Sequence, residues 1–278
     1  ITTAIKHLAN VRHEVEGILK TSNILIGETG WPSEGRMRED ALPSKTNQAI
    51  FVREFVKLAE EKGWNYNIIE AFDQPWKRVS EGAVGGFWGL FDKDRLDKNV
   101  FTGDVSNFPN YKYLGFGSLL LIFGFSFLLK NSNISTKRVV LFSFINTIFA
   151  VLYMLQMEQF NITVRSSGEV VWATLVLLTH LAIYYFVLLN IVKESKPKIV
   201  GIREILTNKI FNVDTLPMIL FYSSFIFVLI STIILAFEGR YRNFEIYIFA
   251  ISAISFVLLY GGRFVNMEFK AFEKLSFI

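Results

Sequence analysis

Two stretches of this chain set carboxylates beside aromatic rings: Ile24 to Arg36, reading ILIGETGWPSEGR, and Asn67 to Arg78, reading NIIEAFDQPWKR. Cleavage of a glycosidic bond needs two carboxyl groups, one protonated to assist the leaving oxygen and one ionised to attack or to activate water. Aromatic faces beside them give sugar rings a flat apolar surface. Glu28 with Trp31, and Glu70 and Asp73 with Phe72 and Trp76, supply those residue types. In both stretches an apolar run leads into the acid, which places the acid at the end of a buried strand. A plainer reading stays open for each: Glu28 as the cap of the turn that follows, Glu70 as an interior acid paired with a base, and Asp73 with Lys77 as a local ion pair around Pro75.

Other chemistries find less support. The chain has no cysteine, so disulfides and thiolate metal sites are excluded. Met154 and Met157 lack His or Cys partners in a metal-ligating pattern, and neither a metal nor an organic cofactor is implied. Gly85, Gly86 and Gly89 have the composition of a phosphate cradle, yet no helix is expected to follow them. His180 falls in the middle of an apolar run, where an ionisable side chain is either functional or hydrogen-bonded between helices, with Thr174 and Thr179 nearby as helpers.

The acids must be held by elements that the pattern also predicts. Ala4, Leu8, Val11, Val15 and Ile18 recur at helical spacing. Asn23 to Gly27 reads as a strand. Ser44 is an N-cap for a second helix carrying Phe51, Phe55 and Leu58 on one face and ending near Gly63. Tyr66 to Ile69 reads as a second strand. This helix, strand, helix, strand order predicts a parallel α/β arrangement whose working loops follow the C-terminal ends of the strands. Two strands neither close a barrel nor cover both faces of a parallel sheet, so the expectation is the tail end of a larger α/β domain in a chain that starts partway through a longer protein.

From Tyr113 onward the composition changes. Hydrophobic residues make up 51% of the 278, and mean hydropathy is +0.36, too apolar for an ordinary soluble domain. Apolar runs at 113–129, 139–155, 170–192, 216–237 and 244–261 predict about five membrane-spanning helices. The first, rich in Gly and Phe, is the weakest. The resulting division is 1–98 for the α/β part, 99–112 for a polar linker and 113–278 for the membrane part. Residues 1–112 carry 15 Lys+Arg against 16 Asp+Glu, and the remainder 14 against 9. The excess bases sit between apolar runs, a topology signal with no basic stripe suited to nucleic acid. Segments 130–138, 193–215 and 263–278 hold 3, 5 and 3 of them, against 1 and 2 in 158–169 and 238–243. The positive-inside rule then makes the first set cytoplasmic and puts residues 1–112 on the periplasmic or extracellular side of a cell membrane.

Taken together, IGETGWPSEGR, NQAIFVREFVKLAEEKG, NIIEAFDQPWKR and GGFWGLFD resemble the C-terminal end of glycoside hydrolase family 17, the β-1,3-glucanase and glucan transglucosylase family, and most closely its bacterial membrane-bound members. The resemblance covers about Asn23 to Asp92. It implies the last part of a (β/α)8 TIM barrel in which Glu28, ending the seventh strand, is the nucleophile of a retaining mechanism, with Trp31 beside the sugar. Glu70, Asp73, Trp76 and Lys77, ending the eighth, are then substrate-binding or shape the nucleophile's surroundings. The family's acid/base glutamate belongs to the fourth strand, so the resemblance places it upstream of Ile1, and this stretch is expected to be catalytically incomplete. The function expected is a membrane-anchored glycosidase acting on β-1,3-glucan, with the polysaccharide and the lipid bilayer as partners. The alternatives are a glucan transglucosylase, or a non-catalytic sugar-binding membrane component of glucan synthesis or export. A transporter is disfavoured by an odd number of spans with one lone histidine.

Overall fold

The computed structural model of the chain describes residues 1–195, 197–208, 213–238 and 245–264. They form two compact units, one built mainly from residues 1–109 and one mainly from residue 110 onward. In the first unit the order is α1 (Thr2–Leu19), β1 (Leu25–Thr29), α2 (Lys45–Lys62), β2 (Asn65–Ile68) and a short α3 (Arg78–Glu81). The two strands run parallel, as the alternation of elements predicts. Among the described residues the sheet has these two strands and no more.

Both ends of α2 follow from sequence. Ser44 accepts a hydrogen bond from the Asn47 amide at 3.0 Å, and Gly63 takes the left-handed conformation that stops the helix, with φ of 61°. Phe55 and Ala59 are fully buried beneath the sheet, with Phe51 and Val52 beside them. The Tyr66 ring of β2 meets Phe55 edge-on at 5.1 Å. In α1 the buried face is turned by about one residue from the predicted stripe: Ile5 and Arg12 are covered, while Val11 and Ile18 are exposed. The cause is Arg12, whose guanidinium stacks 4.7 Å over Trp64 and donates to the Ser22 carbonyl, so a cation and its aliphatic stem take the place of an apolar side chain.

The strands begin and end two residues later and one residue earlier than predicted. β1 runs through Glu28 to Thr29 and β2 stops at Ile68. Their register carries the most consequential detail of the unit. Ile26 pairs with Tyr66 and Thr29 with Ile68, so three steps along β1 match two along β2, and β1 holds one extra residue at Gly27–Glu28. Strict alternation would put Glu28 on the same face as Ile26, against α2. Across this irregularity Ile26 packs against the α2 core, Thr29 is buried and Glu28 is exposed.

The second unit contains α4 (Tyr111–Ser126), α5 (Thr136–Thr163), α6 (Ser167–Lys193), α7 (Ile202–Asn208), α8 (Leu216–Phe237) and α9 (Ala250–Phe264). Among the described residues four helical segments are long and apolar enough to cross a membrane: Tyr111–Leu129, Thr136–Thr163, Ser167–Lys193 and Leu216–Phe237. The first of the five predicted spans, the weakest by composition, is thus 19 residues long. The last predicted span, 244–261, lies partly outside the described residues; its described apolar part is the shorter Ile246–Tyr260. Part of the loop-charge pattern, namely Lys196, Lys209, Arg240, Arg242, Lys270 and Lys274, lies outside the described residues.

Within this unit polar side chains satisfy one another across helices. Asn146 donates to the Ile122 carbonyl at 3.0 Å and accepts from the Tyr184 hydroxyl. The partner of His180 is Gln156, at 2.7 Å from Nδ1, and not the predicted threonines; Thr174 bonds back to Val170 on its own helix. Helical side chains lean toward their own N-terminus, so in an antiparallel pair Gln156 and His180 lean toward each other along the axis and meet although they start at different heights. Replacing Gln156 by Leu strands the His180 nitrogen and is expected to cost about 1 kcal/mol. Replacing both residues by Leu should recover most of it. Thermal unfolding in detergent checks the ordering; a double variant less stable than the single one contradicts it.

Candidate active site

The two strand ends approach unusually closely. The Ile69 amide donates to the Thr29 carbonyl at 2.9 Å, and a Cβ placed on Gly30 would stand 2.5 Å from the Ile69 carbonyl oxygen. Only glycine fits there. Beyond it the Trp-Pro-Ser turn is tied on two sides. Buried Ser33 donates its amide and its hydroxyl to the Phe87 carbonyl, at 2.9 and 3.2 Å, and the Trp31 indole N–H donates to the Leu42 carbonyl at 3.0 Å. The Trp31 ring packs on Phe51, 5.7 Å between centroids. The tryptophan is therefore rooted in the α2 core.

Glu70 follows β2 and is held along its backbone by a returning segment: its amide donates to the Trp88 carbonyl at 3.0 Å, and the Leu90 amide donates to its carbonyl at 2.8 Å. Its side chain gathers two donors on one oxygen, with Lys77 Nζ and Gln74 Nε2 each 2.6 Å from Oε2, while buried Oε1 has no protein partner. The Glu70 hydrogen bond, followed by the negative charges of Glu70, Glu81 and Glu28, outweighs burial and raises Lys77 above the usual lysine range, so it stays cationic throughout neutral pH. Glu28 and Glu70 thus share one lysine's field. Trp76, 69% exposed, stands on the rim with Lys77 Nζ 5.8 Å from its ring centre.

Asp73 behaves differently from its neighbour. The local pair with Lys77 does not form, because Lys77 turns to Glu70; the partner of Asp73 is Lys98, at 3.0 Å from Oδ1 and 3.2 Å from Oδ2. Asp73 Oδ1 also accepts from the Gly89 amide at 2.8 Å, and the Lys98 ammonium donates to the Gly89 carbonyl at 2.6 Å. The two side chains are only 10% and 7% exposed. Burial pushes Asp73 up and Lys98 down from their usual ranges, each against the pull of the other.

Two residues that sequence reasoning passed over complete this arrangement. Gln48, in the second turn of α2 and fully buried, donates to the Gly89 and Trp88 carbonyls at 3.0 and 3.3 Å. A trace of it was present in the pattern, since Gln48 lies on the same helical stripe as Phe51, Val52 and Phe55 and is the stripe's one polar member. Lys98 left no such trace; it sits in the polar run DKDRLDKN and is placed only by the return of the chain. Gly85 and Gly86 are buried in a tight turn against Lys77 and Arg78, not open to a ligand. Among the described residues no group of three or more His, Cys, Asp or Glu could hold a metal ion.

Residues 1–89 match the model of the BtgE/BtgC glycoside hydrolase domain. The first unit is similar to a glycosidase. The same region is 35% identical over 75 residues to a glucan 1,3-beta-glucosidase of Candida albicans, covering 26% of this chain and 24% of that one. It is 38% identical over 68 residues to a glucan 1,3-beta-glucosidase of Saccharomyces cerevisiae, covering 24% and 22%. A probable beta-glucosidase btgE of Aspergillus fumigatus is 32% identical over 87 residues, covering 31% and 15%. The chain thus spans about a quarter or less of the length of these relatives. No solved structure matches it significantly.

The packing at Gly89 makes a direct prediction. A Cβ there would lie 2.1 Å from the Asp73 nitrogen and 2.3 Å from the Phe72 carbonyl carbon, both backbone atoms unable to move aside. Gly89→Ala is expected to destabilise the first unit by more than about 2 kcal/mol. Thermal unfolding followed by tryptophan fluorescence checks this, and an unchanged midpoint contradicts it.

Proposed function

We propose that the chain is part of a membrane-anchored glycosidase that acts on β-1,3-glucan, with Glu28 as the carboxylate that attacks the sugar. The observation that carries the reading is that Glu28, at the register shift near the end of β1, is an exposed acid whose charge reaches Lys77, the partner of Glu70. The glycoside hydrolase match over residues 1–89 and the similarity to fungal glucan 1,3-beta-glucosidases support the substrate class.

In this reading Glu28 attacks the anomeric carbon of a bound glucosyl unit and forms a covalent glycosyl ester as the bond to the leaving oxygen breaks. A second carboxyl group donates the proton to that oxygen. Glu70 is poorly suited to be the donor, because Lys77 and Gln74 already occupy one of its oxygens and the other is buried. Its part is to fix Lys77, whose ammonium holds sugar hydroxyls. Trp31 supplies a rigid wall and Trp76 a ring at the rim. Asp73, its oxygens already engaged by Lys98 and Gly89, contributes by shaping the loop that carries Glu70. Water or another sugar hydroxyl then releases the intermediate, giving hydrolysis or transfer.

Glu28→Gln in the full-length protein is expected to lower cleavage of linear β-1,3-glucan by at least about a thousandfold while leaving unfolding unchanged. Equal rates in wild type and variant sink the assignment, and the ratio of reducing ends released to longer products formed separates hydrolysis from transfer.

The apolar helices support membrane anchoring, and the bias of basic residues toward 130–138 and 193–215 supports a cytoplasmic position for those segments, with residues 1–112 on the opposite side. The absence of cysteine from the chain makes the test direct. Ser106→Cys is expected to react with a membrane-impermeant maleimide in intact cells or spheroplasts, and Ser132→Cys only after lysis; the reverse pattern inverts the topology.

A further inference from the structure

The glycosidase reading leaves one buried cation without a role. Lys98 enters the first unit from the chain beyond the β2 loop, is almost completely covered, and donates hydrogen bonds to two groups: the Asp73 carboxylate and the Gly89 carbonyl. Both belong to the two segments that grip Glu70. On one side, residues 70–74 carry Glu70, Asp73 and Gln74. On the other, residues 86–91 run alongside them, joined by the Glu70–Trp88, Leu90–Glu70, Phe91–Ala71, Asp73–Phe91 and Gln74–Gly86 backbone hydrogen bonds. Asp73 reaches across this seam to the Gly89 amide, in contact so tight that Gly89 admits no side chain.

An ionised Asp73 in so dry a place needs a neutralising partner, and Lys98 is that partner. The field of the Glu34–Lys45 ion pair, 3.1 Å between its charged atoms, also reaches Asp73 and Lys98, so charges of alternating sign link the turn after β1, the first residue of α2 and the β2 loop. Removal of Lys98 would leave Asp73 buried with its charge unbalanced; it would take up a proton at a higher pH and grip the Gly89 amide less well. Gly89 would keep its second tie, since Gln48 also donates to its carbonyl. The fault would therefore lie in the charge of Asp73 and not in a general loss of packing.

We propose that Lys98 is a positioning residue of the glycosidase site: by clamping the Asp73 carboxyl and the Gly89 carbonyl across the seam between residues 70–74 and 86–91, it fixes the Glu70–Lys77 pair whose field Glu28 shares. The role rests on the glycosidase reading and extends it to a residue well outside both carboxylate motifs.

Steady-state kinetics of the full-length protein on linear β-1,3-glucan oligosaccharides test it in four forms: wild type, Glu28→Gln, Lys98→Met and Lys98→Met with Asp73→Asn. Lys98→Met is expected to lower kcat by about tenfold or more with KM changed by less than about threefold, and to move the acidic limb of the kcat–pH profile to higher pH. Asn at position 73 accepts the Gly89 hydrogen bond without a charge, so the double variant is expected to regain most of kcat and the original profile. Should Lys98→Met fail to fold, the double variant alone decides: folded and active, it supports the role; folded with kcat still about tenfold down, it overturns it. Wild-type kcat and profile in Lys98→Met also overturn it. Wild-type cleavage no faster than that of Glu28→Gln instead removes the glycosidase reading, and the positioning role with it.

Discussion

The close approach of the ends of β1 and β2 is the constraint on which the first unit depends. The Ile69 carbonyl occupies the space a Cβ on Gly30 would need, and the Ile69 amide closes the ladder onto Thr29. Just before this contact three steps along β1 match two along β2, with Thr29 buried and Glu28 exposed. One extra residue takes up the mismatch, and the exposed residue there is the carboxylate proposed to do chemistry.

Electrostatics follow from the same geometry. Four carboxylates, Glu28, Glu34, Glu70 and Asp73, come from the two loops and strand ends. The unit answers with a lysine for each of three: Lys45 for Glu34, Lys77 for Glu70 and Lys98 for Asp73. Glu28 is the carboxylate left exposed without a bonded cation among them, an arrangement suited to an acid that must present a free oxygen to a sugar. The driest pair, Asp73 and Lys98, contributes little as an attraction set against its desolvation. Its effect is specificity of position, since neither charge tolerates the loss of the other.

The second unit solves a different problem with the same rule. Where little water is at hand, an amide or imidazole must find its partner on a neighbouring helix. Asn146 with Tyr184 and Ile122, Gln156 with His180, and Ser224 with Ser252 each do so. Around them Phe125, Phe149 and Tyr184 form a ring cluster, with centroids 4.3 and 5.4 Å apart. The polar pairs set the rotation of each helix about its axis, which an apolar stripe in so uniformly hydrophobic a sequence specifies weakly.

Local signals alone were enough for much of this. Ser44 and Gly63 bound α2 because a hydroxyl cap and a left-handed glycine act within a few residues, and the apolar runs announce long helices because length and hydropathy are additive along the chain. The order helix, strand, helix, strand and the clustering of Glu28, Trp31, Glu70 and Trp76 at strand ends were equally legible. What only the tertiary structure decided is where partners come from. Lys77 could be paired on paper with Asp73, four residues away, but the turn at Pro75 delivers it to Glu70, and Asp73 takes Lys98 from 25 residues on. Gln156 finds His180 across a helix pair, and Glu28 is exposed at a one-residue mismatch between strands. Each outcome depends on the relative placement of segments distant in sequence, and the energy of a buried charge, a close backbone contact or a register shift has no counterpart in the composition of either segment alone.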